Sequence, residues 1–187
     1  SYPDRENFGR LSIAVSLDEL QAIILDQLSL LRSLARAQEV SLHHVKPHGA
    51  LYTDAYHSAE LADAIVQAIL EFDASLILYA QTGSQLMQKA TQKGLRVAQE
   101  GFIDRTYQSD GRLTSRSDPR ALIHDPEQAL QQAIAIIRTG SAVALSGEQI
   151  RLKADTLCIH GDHAGALGLA KYLSVHLPKH GIRIEAI

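Results

Sequence analysis

Leu76-Ile77-Leu78-Tyr79-Ala80 is a continuous apolar run set between two stretches of helical period. A strand without a polar face has to be covered on both sides, and parallel sheets sandwiched by helices are where such strands occur. The flanks agree. Ser58–Phe72 puts Leu61, Ala64, Ile65, Ala68 and Ile69 on one helical stripe, and Ser84–Lys93 reads as a helix stopped by Gly94.

The alternation runs along the chain. Leu17–Ala37 is a long helix, with Ser16 as N-cap and Glu19 three residues on as the second half of a capping box. Its stripe is Leu20, Ile23, Ile24, Gln27, Leu28, Leu31 and Leu34. Strands are predicted at Leu42–Lys46, Leu95–Ala98 and Thr156–His160, with a small terminal strand at Ile182–Ile184. Glu100–Asp118 is a long polar loop with an Asp110-Gly111 turn. Asp125-Pro126 opens a helix to about Arg138, proline being suited to the first helical position. Ala142–Leu145 and Ile150–Lys153 flank Ser146-Gly147-Glu148-Gln149 and read as a hairpin off the sheet edge. Ala164–Leu177 is the closing helix. Strands alternating with amphipathic helices predict an α/β fold with a parallel sheet. Four clear strand-helix units are too few to close a barrel. No repeat, low-complexity tract or linker interrupts the chain, so 187 residues read as one domain.

Two strand ends carry unusual chemistry. Lys46 and His48 follow the Leu42 strand two residues apart, so in extended backbone both point to one side. Gly49 then turns the chain into a helix. The last strong strand ends in His160-Gly161-Asp162, again a same-side polar pair at a strand end that feeds a helix. Open α/β sheets and α/β barrels place their chemistry at such ends. Asp104 and Arg105 sit where the third strand opens into its loop. They suit a base and a bidentate carboxylate binder, and they also read as a plain loop ion pair. Lys46, His48, Asp104, His160 and Asp162 are therefore expected to share one cleft. Arg10 and Arg116 are weaker cationic candidates. His43 and His44 are a pair on a strand, and His57, His124, His163, His176 and His180 read as helix ends or surface residues.

Composition sets the exclusions. A net charge of −3 provides no basic field for nucleic acid. No apolar run approaches the length of a membrane span, and no signal peptide opens the chain. The one cysteine, Cys158, lies in an apolar strand and reads as a small buried hydrophobe. Together these point to the cytoplasm. There is no Gly-x-x-x-x-Gly-Lys-[Ser/Thr] loop, no Gly-x-Gly-x-x-Gly and no zinc-finger spacing.

The stretch His44-Val45-Lys46-Pro47-His48-Gly49-Ala50-Leu51-Tyr52 resembles the signature of the LamB/YcsF family. Three further segments resemble that family in the same order. They are Ser1–Arg10, then Glu100–Arg105 with Tyr107 and Asp110-Gly111, and Cys158–Asp162. The resemblance implies a seven-stranded, distorted β/α barrel like that of the polysaccharide deacetylases. This chain would supply its later four strands, the first three strand-helix units lying outside it. It also implies ATP-dependent opening of 5-oxo-L-proline to L-glutamate, as the A component of a 5-oxoprolinase working with B and C subunits. The reaction needs an activated lactam carbonyl, a cation for the substrate carboxylate and a directed water. His48, Asp104, His160 and Asp162 are then the catalytic candidates, with Lys46, Arg105 and Arg10 as substrate binders. A nucleotide site is not visible in these residues, and a metal requirement is open, since His48, His160 and Asp162 are ligand types. The alternatives are a metal-dependent, deacetylase-like hydrolase acting on carbohydrate, and a non-catalytic accessory fragment.

A sheet that lacks three neighbouring strands exposes an edge, here the Leu42–Val45 strand. Each apolar side chain uncovered there forgoes about 1.5–3 kcal/mol of burial. The 187-residue polypeptide alone is therefore expected to be unstable, to aggregate, or to pair that edge with a second copy as a homo-oligomer. Sedimentation and thermal melting of the isolated chain test this. A soluble monomer melting cooperatively above about 45 °C would show that the piece is self-sufficient.

Overall fold

The structure is a computed structural model that describes residues 1–187, and the chain divides into two compact units, Ser1–Ala98 and Gln99–Ile187. The first unit begins with the loop Ser1–Arg10 and continues into α1 (Leu17–Ala37). The predicted cap is present, the Ser16 hydroxyl accepting from the Glu19 N–H at 3.2 Å. Leu20, Ile24 and Leu28 are buried as the stripe requires, but Leu31 and Leu34 are exposed. This 21-residue helix packs on α3 (Ala59–Asp73), and Leu31 lines a cavity with Ile65 and Ile69 of that helix.

β1 (His44–Val45) is shorter than the expected Leu42–Lys46. Pro47 has no N–H to continue a ladder and pulls Lys46 toward an extended, unpaired conformation. β1 pairs in parallel with β2 (Ile77–Gln81), His44 opposite Ile77 and Val45 opposite Leu78. Between them lie α2 (Ala50–His57) and α3, whose N-cap Ser58 accepts from the Leu61 N–H at 3.1 Å. β2 is buried on both faces, with only Tyr79 half-buried, as its unbroken apolar run predicts. α4 (Gln85–Gln92) follows, capped by Ser84 and ended by Gly94 at φ +76°. Leu20, Leu51, Ile65, Ile69, Leu76, Leu78 and Leu86 form the core of this unit.

β3 (Val97–Phe102) starts in the first unit and ends in the second. It extends four residues past the predicted Ala98, because Glu100, Gly101 and Phe102 pair in parallel with Thr156, Leu157 and Cys158 of β6 (Thr156–Cys158). A Cβ on Gly101 would sit 3.2 Å from both Ala154 Cβ and Leu152 Cδ2, so a side chain there would require these neighbours to give by a few tenths of an ångström. Cys158 is half-buried, more open than its apolar strand suggested. The sheet order is β1-β2-β3-β6, the parallel α/β arrangement expected.

The second unit holds α5 (Pro126–Thr139), started by Asp125, which accepts from the Glu127 N–H at 3.1 Å. The expected hairpin exists as β4 (Ser141–Val143) and β5 (Gln149–Arg151), but it forms its own two-stranded antiparallel sheet instead of extending the main one. α6 (Ala166–Lys179) closes the chain. The predicted strand at Ile182–Ile184 is irregular, and with Ile184 60% exposed there is no apolar face for a strand to bury. No helix is long and apolar enough to cross a membrane.

One close approach organises the first unit. The Ala50 N–H, at the start of α2, donates to Gly9 O at 2.8 Å, and Gly49 adopts φ +66° to allow it. A Cβ on Gly49 would lie 2.1 Å from Gly9 O. Gly49→Ala must therefore expel the Ser1–Arg10 loop as well as strain the backbone. It is expected to cost more than about 1 kcal/mol and to lower Tm by at least about 2–4 °C. Differential scanning calorimetry reads this directly, and an unchanged Tm would mean that the loop does not depend on the contact.

Candidate active site

Asp104 and His160 form the best-defined polar cluster of the second unit. Asp104 lies two residues beyond β3 and His160 two beyond β6, so the pairing of these strands brings them together. The Asp104 side chain is 1% exposed and that of His160 22%. One carboxylate oxygen, Oδ2, accepts from the His160 backbone N–H at 2.7 Å, and both oxygens lie 3.0 Å from Nδ1. The imidazole stacks on the Phe102 ring, 5.4 Å between centroids at 20°. Burial alone would raise the Asp104 pKa. The ring hydrogen bond, the backbone N–H and the charge of His160 outweigh it and hold the carboxyl below its ordinary value. An ionised Asp104 holds the proton on Nδ1 and leaves Nε2 as the nitrogen with a lone pair. That is the arrangement of an oriented general base.

Arg105 departs from expectation. It is 4% exposed, its Nε donates to Ala121 O at 3.2 Å, and a terminal nitrogen donates to Thr114 O. Burial, then the nearby charge of Arg116, pushes its pKa down to about 10. Its donors tie the Thr106–Ala121 loop to the end of β3, so it organises the loop. The plain ion-pair reading of Asp104-Arg105 is also superseded, since Asp104 spends both oxygens on His160. Asp162 lies exposed in the bend after β6, two residues past His160. Arg116 is an exposed loop residue.

In the first unit, Lys46 and His48 line one cavity of about 400 Å³, together with His44 and apolar side chains of α1 and α3. They belong to the loop after β1, not to the strand itself. Lys46 Nζ sits 5.3 Å from the centre of the buried Tyr52 ring. The exposed His48 meets Phe8 edge-on at 4.8 Å, and Arg10 lies 5.4 Å over the same Phe8 ring. Phe8 has φ +58°, uncommon for an aromatic residue, and is 60% exposed. Tyr2, at the start of this loop, is buried and donates to Asp54 Oδ2 at 3.0 Å. Burial first, then Asp54, pushes its pKa up to about 12. His43 and His44 are exposed, His44 stacking on Tyr79 at 4.3 Å. No group of three or more His, Cys, Asp and Glu side chains is arranged to hold a metal ion.

Sequence reasoning missed Gln132, whose amide reaches the backbone that carries Asp104. The signal was a glutamine at helical spacing from Ala129 and Ile136, both buried on the inner stripe of α5.

The LamB/YcsF family pattern matches residues 1–187. A 5-oxoprolinase A-subunit protein of Tolumonas auensis is 48% identical over 185 residues, covering 99% of this chain and 74% of that protein. Its counterpart in Bordetella parapertussis is 45% identical over 186 residues, covering 100% and 74%. The crystal structure of a lactam utilization protein from Thermus thermophilus superposes with a TM-score of 0.91 at 38% identity, over 99% of this chain and 74% of that one. This chain belongs to the LamB/YcsF family.

Proposed function

We propose that this chain acts in the hydrolytic opening of 5-oxo-L-proline to L-glutamate, as the A component of a multi-subunit 5-oxoprolinase. The buried Asp104–His160 pair carries the reading. A carboxylate held ionised behind an imidazole is what a hydrolase needs to deprotonate water. The similarity to proteins named for 5-oxoprolinase and for lactam utilization supplies the substrate class.

The roles follow from residue chemistry. Nε2 of His160 takes a proton from water, and the oxygen bonds to the lactam carbonyl carbon. As the ring C–N bond breaks, the nitrogen takes a proton. By residue type alone, His48 suits a proton donor, Lys46 and Arg10 suit a substrate carboxylate or developing oxyanion, and Asp162 suits the orienting of a histidine. An unstrained lactam is a poor electrophile, so ATP enters the reading as co-substrate. No phosphate-binding glycine motif is visible in the sequence, so the reading leaves the place of the nucleotide open between this chain, further polypeptide and partner subunits B and C, in a cytoplasmic assembly. No step here is derived through the nucleotide.

In the assembled enzyme, His160→Ala, His48→Ala and Asp162→Asn should each reduce glutamate formation by at least about 100-fold. Tm should stay within a few degrees for His48→Ala and Asp162→Asn, whose side chains are exposed, while His160→Ala also strips the buried Asp104 carboxylate of its ring partner and should lower Tm further. Turnover close to wild type in any one of them would remove that residue from the reaction.

The pair also has an acid signature. The folded Asp104 pKa lies below the unfolded value of about 3.9. Its contribution is therefore complete above that value and is lost as pH falls through the lower folded pKa. Asp104→Asn should flatten the decline of Tm between about pH 5 and pH 2. Parallel curves for variant and wild type would show that Asp104 is not held ionised by His160.

A further inference from the structure

We propose that Gln132 and Tyr107 are positioning residues for the Asp104–His160 pair, acting through the backbone of Phe102–Arg105; this rests on the reading of that pair as the reaction's base. Gln132, half-buried on α5, uses its amide nitrogen twice, donating to Phe102 O and to Arg105 O, each at 2.8 Å. Both partners are carbonyl oxygens, so only one orientation of the amide satisfies them. The two carbonyls bracket Ile103 and Asp104. Tyr107 is fully buried, and its hydroxyl accepts from the Phe102 N–H at 2.6 Å and donates to Phe102 O at 3.2 Å.

Everything that aims His160 hangs from this segment. Asp104 supplies the carboxylate to Nδ1, and Phe102 supplies the ring on which the imidazole stacks. The ordinary ladder is ending here: Ile103 N–H still reaches Cys158 O at 3.2 Å, the last pairing before the chain turns away. Beyond that point the Asp104 carbonyl is held by the Ile123 N–H at 2.9 Å. The Phe102 and Arg105 carbonyls take the Gln132 amide, and Phe102 O takes the Tyr107 hydroxyl as well. A residue that only filled space would not need two donors on one carbonyl. A misplacement of the base on the ångström scale is enough to slow a reaction severely.

The test uses the assembled enzyme carrying Gln132→Leu, which keeps the bulk and removes both donors, and Tyr107→Phe as the second variant. In each, kcat should fall about tenfold with KM changed less than about twofold. The His160 Nδ1–H proton resonance should shift or broaden in both. In an Asp104→Asn background, Gln132→Leu should cost less than about a further twofold, because the group it positions is already gone. A lowered Tm with an unchanged His160 resonance, or an undiminished Gln132→Leu penalty on top of Asp104→Asn, would overturn the proposal. If instead His160→Ala itself turns over normally while Gln132→Leu still moves the resonance, the positioning stands and the assignment of the base fails.

Discussion

A carboxylate almost wholly removed from water must have its oxygens satisfied, and Asp104 meets this demand with one residue, His160, through ring and backbone together. Much of the second unit is arranged around that requirement. β3 and β6 must pair in the register that sets Glu100 opposite Thr156, or the two residues would not meet. The Leu152 and Ala154 side chains pack close to the strand at Gly101, 3.2 Å from where a Cβ would stand. Arg105, next in sequence, turns the opposite way and spends its donors on loop carbonyls. The same short stretch thus delivers a titratable group on one side and a structural tie on the other.

The first unit solves a different problem with backbone alone. Its candidate cations and imidazole lie in a loop after a two-residue strand, where ladder hydrogen bonds have stopped. Rigidity comes from the Ser1–Arg10 loop, whose Gly9 carbonyl takes the first N–H of α2 across a contact that only glycine at 49 permits. The loop brings Phe8 and Arg10 beside His48. The family signature and the family's Ser1–Arg10 segment, remote in sequence, are thus physically one feature.

Local signals were legible where a single element decides its own structure. Ser16 caps α1 as expected, and Ser58, Ser84 and Asp125, read as the residues that open their helices, prove to be N-caps. The apolar run of β2 is buried on both faces. Errors came where a neighbour decides. Leu31 and Leu34 fit the stripe of α1 yet lie exposed, since a stripe marks which face is apolar and not what packs against it. Residues 100–102 read as loop because glycine and glutamate are poor strand formers, and pairing with β6 overrode that preference.

The sequence by itself determined the α/β class, the helix starts, and the residue types gathered after strand ends, because periodicity, capping and turn chemistry act within a few residues. Only the tertiary structure decided partners. Asp104 was legible as a candidate base, but its bond to a histidine 56 positions away was not. Arg105 was legible as a cation, but not that it would be buried and bonded to the Thr114 and Ala121 carbonyls. Gln132 looked like an ordinary helix residue until the backbone it holds came into view. Hydrogen bonds between distant segments depend on strand register and helix placement, and those are settled by how the whole chain packs, not by the residues that make the bond.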